Sequence, residues 1–393
     1  MLFDPELVQM HHTSRLEISA SAYSRNIAFL RSRIGPHPVI SAVVKGNAYG
    51  HGIPQLVAIA EQSGIRHFST FSSDEAREVL SSSSENSEVM IMGMLHLAEI
   101  PELIQLGIQF YIFDMERLET AIDAAKSLGT KVQIHVEVET GFHRTGFEWE
   151  HREALLNIIH ENQSSLQLKG LCTHFAGAES AQNHPRIREQ IARFESFKTY
   201  FLKNQITFER IHTACSAATL LFPETQMDLV RIGIAGYGFW PTRETYELIY
   251  PTLSAENPNP LKRLITWKTQ VMSLKKVPHG EFVGYGKGFR AIRDMTLAII
   301  PVGYAHGYGR NLSNSGKVLI AGEFCSVIGT VNMNAVAVDI SHLGQVTPGD
   351  EEVLIGNQGD NQLTVSSFAE TSEMINYEML TRLPSQIPRV IVD

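Results

Sequence analysis

The chain reads as an α/β protein, with an N-terminal (β/α)8 barrel over residues 13–240 and a mostly-β domain over 241–393, on which segment 1–12 is a candidate to pack. Three observations carry this. Short apolar runs alternate eight times with amphipathic stretches, unusual polar residues fall where the apolar runs end, and after Pro241 the pattern changes to short runs parted by glycine turns.

In order, Ser14 to Ile18 reads as a short strand, followed by an amphipathic helix from about Ser19 to Ile34 that stops at Gly35 and Pro36. The eight apolar runs are Val39 to Val44, Arg66 to Phe71, Glu88 to Gly93, Ile108 to Phe113, Lys131 to Glu139, Leu166 to His174, Glu209 to Cys215 and Leu229 to Ala235. Helical periodicity fills stretches between them, including Asp74 to Leu80, Met115 to Leu128, Arg152 to Glu161 and Ile187 to Lys203. An open doubly wound sheet would give the same alternation. The polar residues at the run ends favour a TIM-type barrel, whose carboxyl-terminal mouth gathers them. Beyond a loop rich in proline and asparagine (Pro251 to Pro260), strands are expected at Leu264 to Leu274, Leu297 to Val302, Lys317 to Ile320, Phe324 to Val331, Ala335 to Ile340 and Glu352 to Ile355. A helical stretch is expected near Ser366 to Ser372.

Composition narrows the class. A chain of 393 residues, 43 % hydrophobic and 19 % charged, can bury two cores, and its net charge of -9 argues against a general nucleic-acid or anionic-membrane surface. No apolar run approaches a membrane span, and acidic residues near the start stand where a signal peptide would carry bases, so a cytoplasmic protein is expected. Cys172, Cys215 and Cys325 form neither a disulfide framework nor a zinc pattern; no metal is expected, and they read as buried fillers.

Chemistry concentrates at the run ends. Lys45 closes the first in V-V-K-G-N-A-Y-G-H-G, as either a snorkelling lysine or an amine held to a carbonyl cofactor. Arg144 follows V-E-V-E-T-G-F-H, His174 ends C-T-H, Ser216 follows T-A-C, and Arg231 lies in L-V-R-I-G-I-A. Ser216 with the amides of Gly233 and Ile234 suits a phosphate cradle. Each has a plainer alternative: a helix N-cap for Ser216, a satisfied core histidine for His174, and a surface pair with Asp228 for Arg231.

These motifs, in this order and over most of the chain, resemble the alanine racemase family of pyridoxal 5'-phosphate (PLP) enzymes. The resemblance implies that Lys45 holds PLP as a Schiff base and that Tyr49, Ser216, Gly233, Ile234 and Tyr377 bind its phosphate. It further implies that Arg231 faces the pyridine nitrogen, His174 lies near the ring, and Arg144 reaches the cofactor's phenolic oxygen and the substrate carboxylate. Lys45 and Tyr285 become the two catalytic bases and Met333 a neighbour of the substrate, with Glu137, His212 and Tyr304 in support. In the family the tyrosine and methionine come from the partner subunit, so a homodimer with shared sites follows. A phenol acting as base needs positive charge nearby, which His174 and Arg231 are expected to supply.

Departures from the family touch specificity. Glu137 stands where a carbamylated lysine is frequent, His143 where a small residue is usual, and His306 and Asn334 where aspartates are common. Alanine is the expected substrate, with serine or lysine racemisation, or a decarboxylase of the same fold type, as alternatives. Against a decarboxylase, there is no late G-G-G phosphate loop and no suitably placed cysteine.

Overall fold

The computed structural model describes residues 13–256, 259–365 and 376–393, which form two compact units. The helix expected at Ser366 to Ser372 lies outside the described residues. The barrel unit comprises 21–48 and 56–263; the β unit takes 13–20, 49–55 and the described residues from 264 onward. The barrel therefore extends past residue 240, and the first strand, assigned to the barrel from sequence, belongs to the β unit. The reason is pairing: β1 (Arg15–Ser19) lies antiparallel to Ile265–Gln270 and parallel to Arg389–Val392, partners that local pattern cannot reveal.

In the barrel unit, β2 (Val39–Val43), β3 (His67–Thr70), β4 (Glu88–Ile91), β5 (Gln109–Ile112), β6 (Val132–Glu137), β7 (Leu166–Cys172), β8 (Arg210–His212) and β9 (Leu229–Ile232) form a parallel sheet in sequence order, with β9 returning to β2. The ring closes between β8 and β9 through the Arg231 amide on Ala214 O (2.9 Å) and the Asp228 amide on Ile211 O (3.0 Å). All eight expected strands are present, each shorter than its apolar run. The residues trimmed from the carboxyl ends of the runs pass into the loops at the mouth. Helix boundaries follow local chemistry: Asp114 accepts the Arg117 amide (2.8 Å) to start Met115–Leu128, and Gly129 ends it at φ 64°.

In the β unit the strands are β10 (Ile265–Gln270), β11 (Ser273–Val277), β12 (Met295–Ile300), β13 (Lys317–Ile320), β14 (Glu323–Ile328), β15 (Val336–Asp339), β16 (Glu351–Gln358), β17 (Asn361–Leu363) and β18 (Arg389–Val392). They assemble with β1 in the order β11-β12-β15-β14-β13-β16-β10-β1-β18, β17 pairing with β16. The single run expected over 264–274 is two strands. Between them the Val271 amide donates to Asp350 O and the Met272 amide to Ile299 O, so the chain changes partners at that corner. Trp267 anchors the unit, fully buried with its indole N–H on Ser14 Oγ (2.8 Å). None of the helices among the described residues is long and apolar enough to cross a membrane.

Candidate active site

Lys45 follows β2, and the backbone after it turns left-handed for four residues: Gly46 at φ 64°, Asn47 and Ala48 at φ 52°, and Tyr49 at φ 51°. Only glycine adopts this freely; each other residue costs about 1–2 kcal/mol, a strain typical of functional segments. Glu75 holds the turn, accepting the amides of Gly46 (2.6 Å) and Phe71 (2.8 Å). Burial lowers the pKa of Lys45, and the Arg144 guanidinium adds to this, while Glu75 partly opposes them. The amine is thus biased toward the neutral, nucleophilic form.

Arg231 is buried and points across the barrel interior. Its Nη1 donates to His212 Nδ1 (2.6 Å) and His212 O (3.0 Å), and Nη2 to Thr173 O (2.8 Å) and Thr213 O (3.0 Å). Four of its five N–H groups are committed to protein, leaving Nε–H for another acceptor. A surface pair with Asp228 is excluded, since that carboxylate accepts the Ile211 amide (2.7 Å).

Ser216 opens a six-residue helix but is not its N-cap, which is Cys215. Its hydroxyl oxygen accepts the amides of Gly233 (3.0 Å) and Ala235 (3.4 Å). The hydroxyl proton remains available to an anionic oxygen, and Ile234 follows directly, buried on the same turn.

Glu137, Glu139, Phe142, Arg144, Thr145, Thr173 and His174 converge on one narrow cleft. Arg144 is exposed, with its guanidinium 4.3 Å above the Phe142 ring, and that ring lies 5.5 Å from the His174 imidazole. Burial, reinforced by the charges of Arg231, Arg144 and Lys45, presses the pKa of His174 down to about 3. The expected cationic His174 is therefore corrected: the imidazole is neutral, and the positive charge comes from the arginines. Burial raises the Glu137 carboxyl above its ordinary value, against the pull of Thr145, Arg231 and Arg144. Its Oε2 is buried without a hydrogen-bond partner, so its influence on Arg144 acts through space.

Sequence reasoning missed several supports. The Glu139 carboxylate accepts the amides of Gly141, Phe142 (2.7 Å) and His143 (2.8 Å), holding His143 at φ 61°. The E-T-G-F-H string could have signalled such an acidic cap on a tight turn. For Glu75 the S-x-x-E string Ser72 to Glu75 marks a helix start, with Ser72 as N-cap and Glu75 reaching back to the Phe71 amide, but its bond to Gly46, beyond a helix and a strand, had no local signal.

In the β unit the Tyr49 and Tyr377 rings lie 6.0 Å apart. The Tyr304 and Ala305 amides donate to Asn332 O and Met333 O (3.0 Å each), joining the loops of Tyr304 and Met333. Gly303 permits this approach: a Cβ there would sit 2.1 Å from Asn332 O. The loop carrying Tyr285 adjoins, with the Val283 carbonyl against Gly329. Tyr285 is 77 % exposed and Met333 57 %, with Ile292 and Phe282 also exposed nearby in sequence. His306 Nδ1 accepts the Gly303 amide (3.2 Å), a local role where an aspartate was the expected residue.

A parallel barrel with a lysine, an arginine and a serine beside backbone amides near its carboxyl strand ends has the architecture of the barrel enzymes, whose chemistry is placed at that face. Residues 18–241 match the family description "Alanine racemase, N-terminal domain" and residues 264–391 "Alanine racemase, C-terminal domain". An alanine racemase of Leptospira interrogans is 31 % identical over 385 residues, 97 % of this chain and 96 % of the relative. One from Clostridium perfringens is 32 % identical over 95 % of this chain and 94 % of its own. The alanine racemase structure from Streptomyces lavendulae superposes with a TM-score of 0.88 at 30 % identity, covering 98 % of both chains. That from Bartonella henselae, with covalently bound pyridoxal phosphate, gives 0.82 at 27 %, covering 97 % of this chain and all of the other. The chain belongs to the alanine racemase family, and its activity is the interconversion of the alanine enantiomers.

Proposed function

We propose that this alanine racemase is a cytoplasmic homodimer that binds PLP through Lys45 and works with two bases, Lys45 and the Tyr285 of a partner subunit. The observation that carries the reading is the Lys45 amine at the end of β2, held toward its neutral form by burial and by Arg144. The donor set fits the cofactor: a nucleophilic amine, a serine hydroxyl with a free proton beside two amides, and a buried guanidinium with one uncommitted N–H. When bound, PLP withdraws electrons from the substrate and acidifies its Cα–H.

The chain's own groups do the rest. Ser216 and the Gly233–Ile234 turn would hold the phosphate. Arg231 offers Nε–H to the pyridine nitrogen and, as a guanidinium, keeps its proton. His174 would stand near the ring as a neutral imidazole. Arg144 orients the substrate carboxylate, with Glu137 adjusting the local field. Lys45 takes or returns the Cα proton on one face and Tyr285 on the other, because inversion requires a proton carrier on each side. Exposure of Tyr285, Met333 and Ile292 in the single chain supports their burial against a partner.

Reconstitution with PLP, borohydride reduction and peptide mapping tests this reading. The pyridoxyl group is expected on Lys45, and a label on any other lysine overturns it. Sedimentation should give twice the chain mass.

A further inference from the structure

A line of buried polar side chains crosses the barrel from Arg231 to its opposite end. Arg231 Nη1 meets His212 Nδ1 (2.6 Å), His212 Nε2 meets His135 Nδ1 (2.8 Å), and His135 Nε2 meets Gln109 Oε1 (2.8 Å). Gln109 Nε2 then donates to Glu88 Oε2 (2.7 Å). Glu88 is gripped by Arg210 through both carboxylate oxygens (2.6 and 2.9 Å), with Lys169 3.6 Å away. Arg231 and His212 stand at the carboxyl ends of β9 and β8, whereas Gln109 and Glu88 are the first residues of β5 and β4.

Both ends of this line have fixed polarity. A guanidinium can only donate, so His212 Nδ1 accepts and its proton sits on Nε2. That proton goes to His135 Nδ1, which places the second imidazole's proton on Nε2, facing the Gln109 carbonyl oxygen. At the far end an ionised carboxylate can only accept, which orients the Gln109 amide the same way. Reasoning from either end gives one assignment. Burial favours the neutral form of both imidazoles. Gly170 reserves the space: a Cβ there would lie 2.2 Å from His135 Nδ1 and 2.7 Å from His212 Nε2.

We propose that Glu88 and Gln109, at the end of the barrel remote from the mouth, are positioning residues for Arg231, fixing the Nε2–H tautomers of His135 and His212 and so the aim of the guanidinium. The catalytic consequence rests on the reading that Arg231 meets the PLP ring; the tautomer assignment does not. Removing the acceptor for His135 frees that imidazole to move its proton to Nδ1. There it opposes His212 Nε2–H, and the conflict passes on to Arg231.

The test uses the PLP-loaded full-length enzyme carrying 15N-labelled histidine. In the wild type, both His135 and His212 are expected as neutral Nε2–H tautomers by 15N NMR; an Nδ1–H form or a protonated ring at either overturns the proposal. In Gln109→Leu the two tautomers should redistribute, the absorption band of the bound cofactor should shift, and kcat/KM should fall about tenfold. Gln109→Glu restores an acceptor and should restore the Nε2–H signals. Wild-type tautomers and spectrum retained in Gln109→Leu would also overturn it. Should Gln109→Leu not fold, the wild-type assignment alone decides. The predicted tautomers in a protein that does not carry PLP on Lys45 would refute the active-site reading and leave this assignment standing.

Discussion

The Glu75 carboxylate accepts the Gly46 amide at 2.6 Å, tying the left-handed turn behind Lys45 to the helix that follows β3. The same carboxylate raises the pKa of Lys45 against the lowering effect of burial. Glu75→Leu therefore removes both an anchor and a charge. Losing the anchor should cost about 1–2 kcal/mol locally and lower kcat about tenfold. Losing the charge should move the Lys45 limb of the pH–rate profile to lower pH. A profile that stays in place would show that Glu75 does not act on the amine.

Tyr285→Phe removes one of the two proposed proton carriers. Racemisation should fall at least about 100-fold, while one enantiomer still exchanges its Cα proton with deuterated solvent without inverting. Product NMR in deuterium oxide separates exchange from inversion. Near-normal racemisation by the variant would dismiss Tyr285 as a base.

Glu137→Gln keeps the shape and deletes the charge that Arg231 and Arg144 sense. KM for alanine should rise about three- to tenfold with a smaller change in kcat, because the effect falls on orientation of the carboxylate. Steady-state kinetics in both directions measures the split, and an unchanged KM speaks against the coupling.

His67 predicts acid lability. Burial holds its imidazole down to about 4; Arg210 and Lys169 add to this and Glu88 opposes it. An unfolded histidine titrates near 6.5, so between about 6.5 and 4 the unfolded chain binds a proton that the folded chain refuses. Stability is complete above that window and declines as pH falls through it, by up to about 3 kcal/mol for this group. His67→Asn should lose less of its melting temperature between pH 7.5 and pH 5 than the wild type. Equal losses would place the lability elsewhere.

By itself the sequence determined the strand and helix rhythm, the positions of Lys45, Arg144, His174 and Ser216 at or after run ends and that of Arg231 within the last run, because periodicity and turn chemistry are local properties. It could not assign β1 to the β unit, whose partner strands lie some two hundred and fifty residues or more along the chain. Nor could it show that His174 is neutral, since that follows from burial among positive charges that only folding assembles. The left-handed turn after Lys45 and the line from Arg231 to Glu88 were likewise illegible. Hydrogen bonds between residues as distant as Glu88 and Arg210 exist only once a closed barrel brings their strands across one interior.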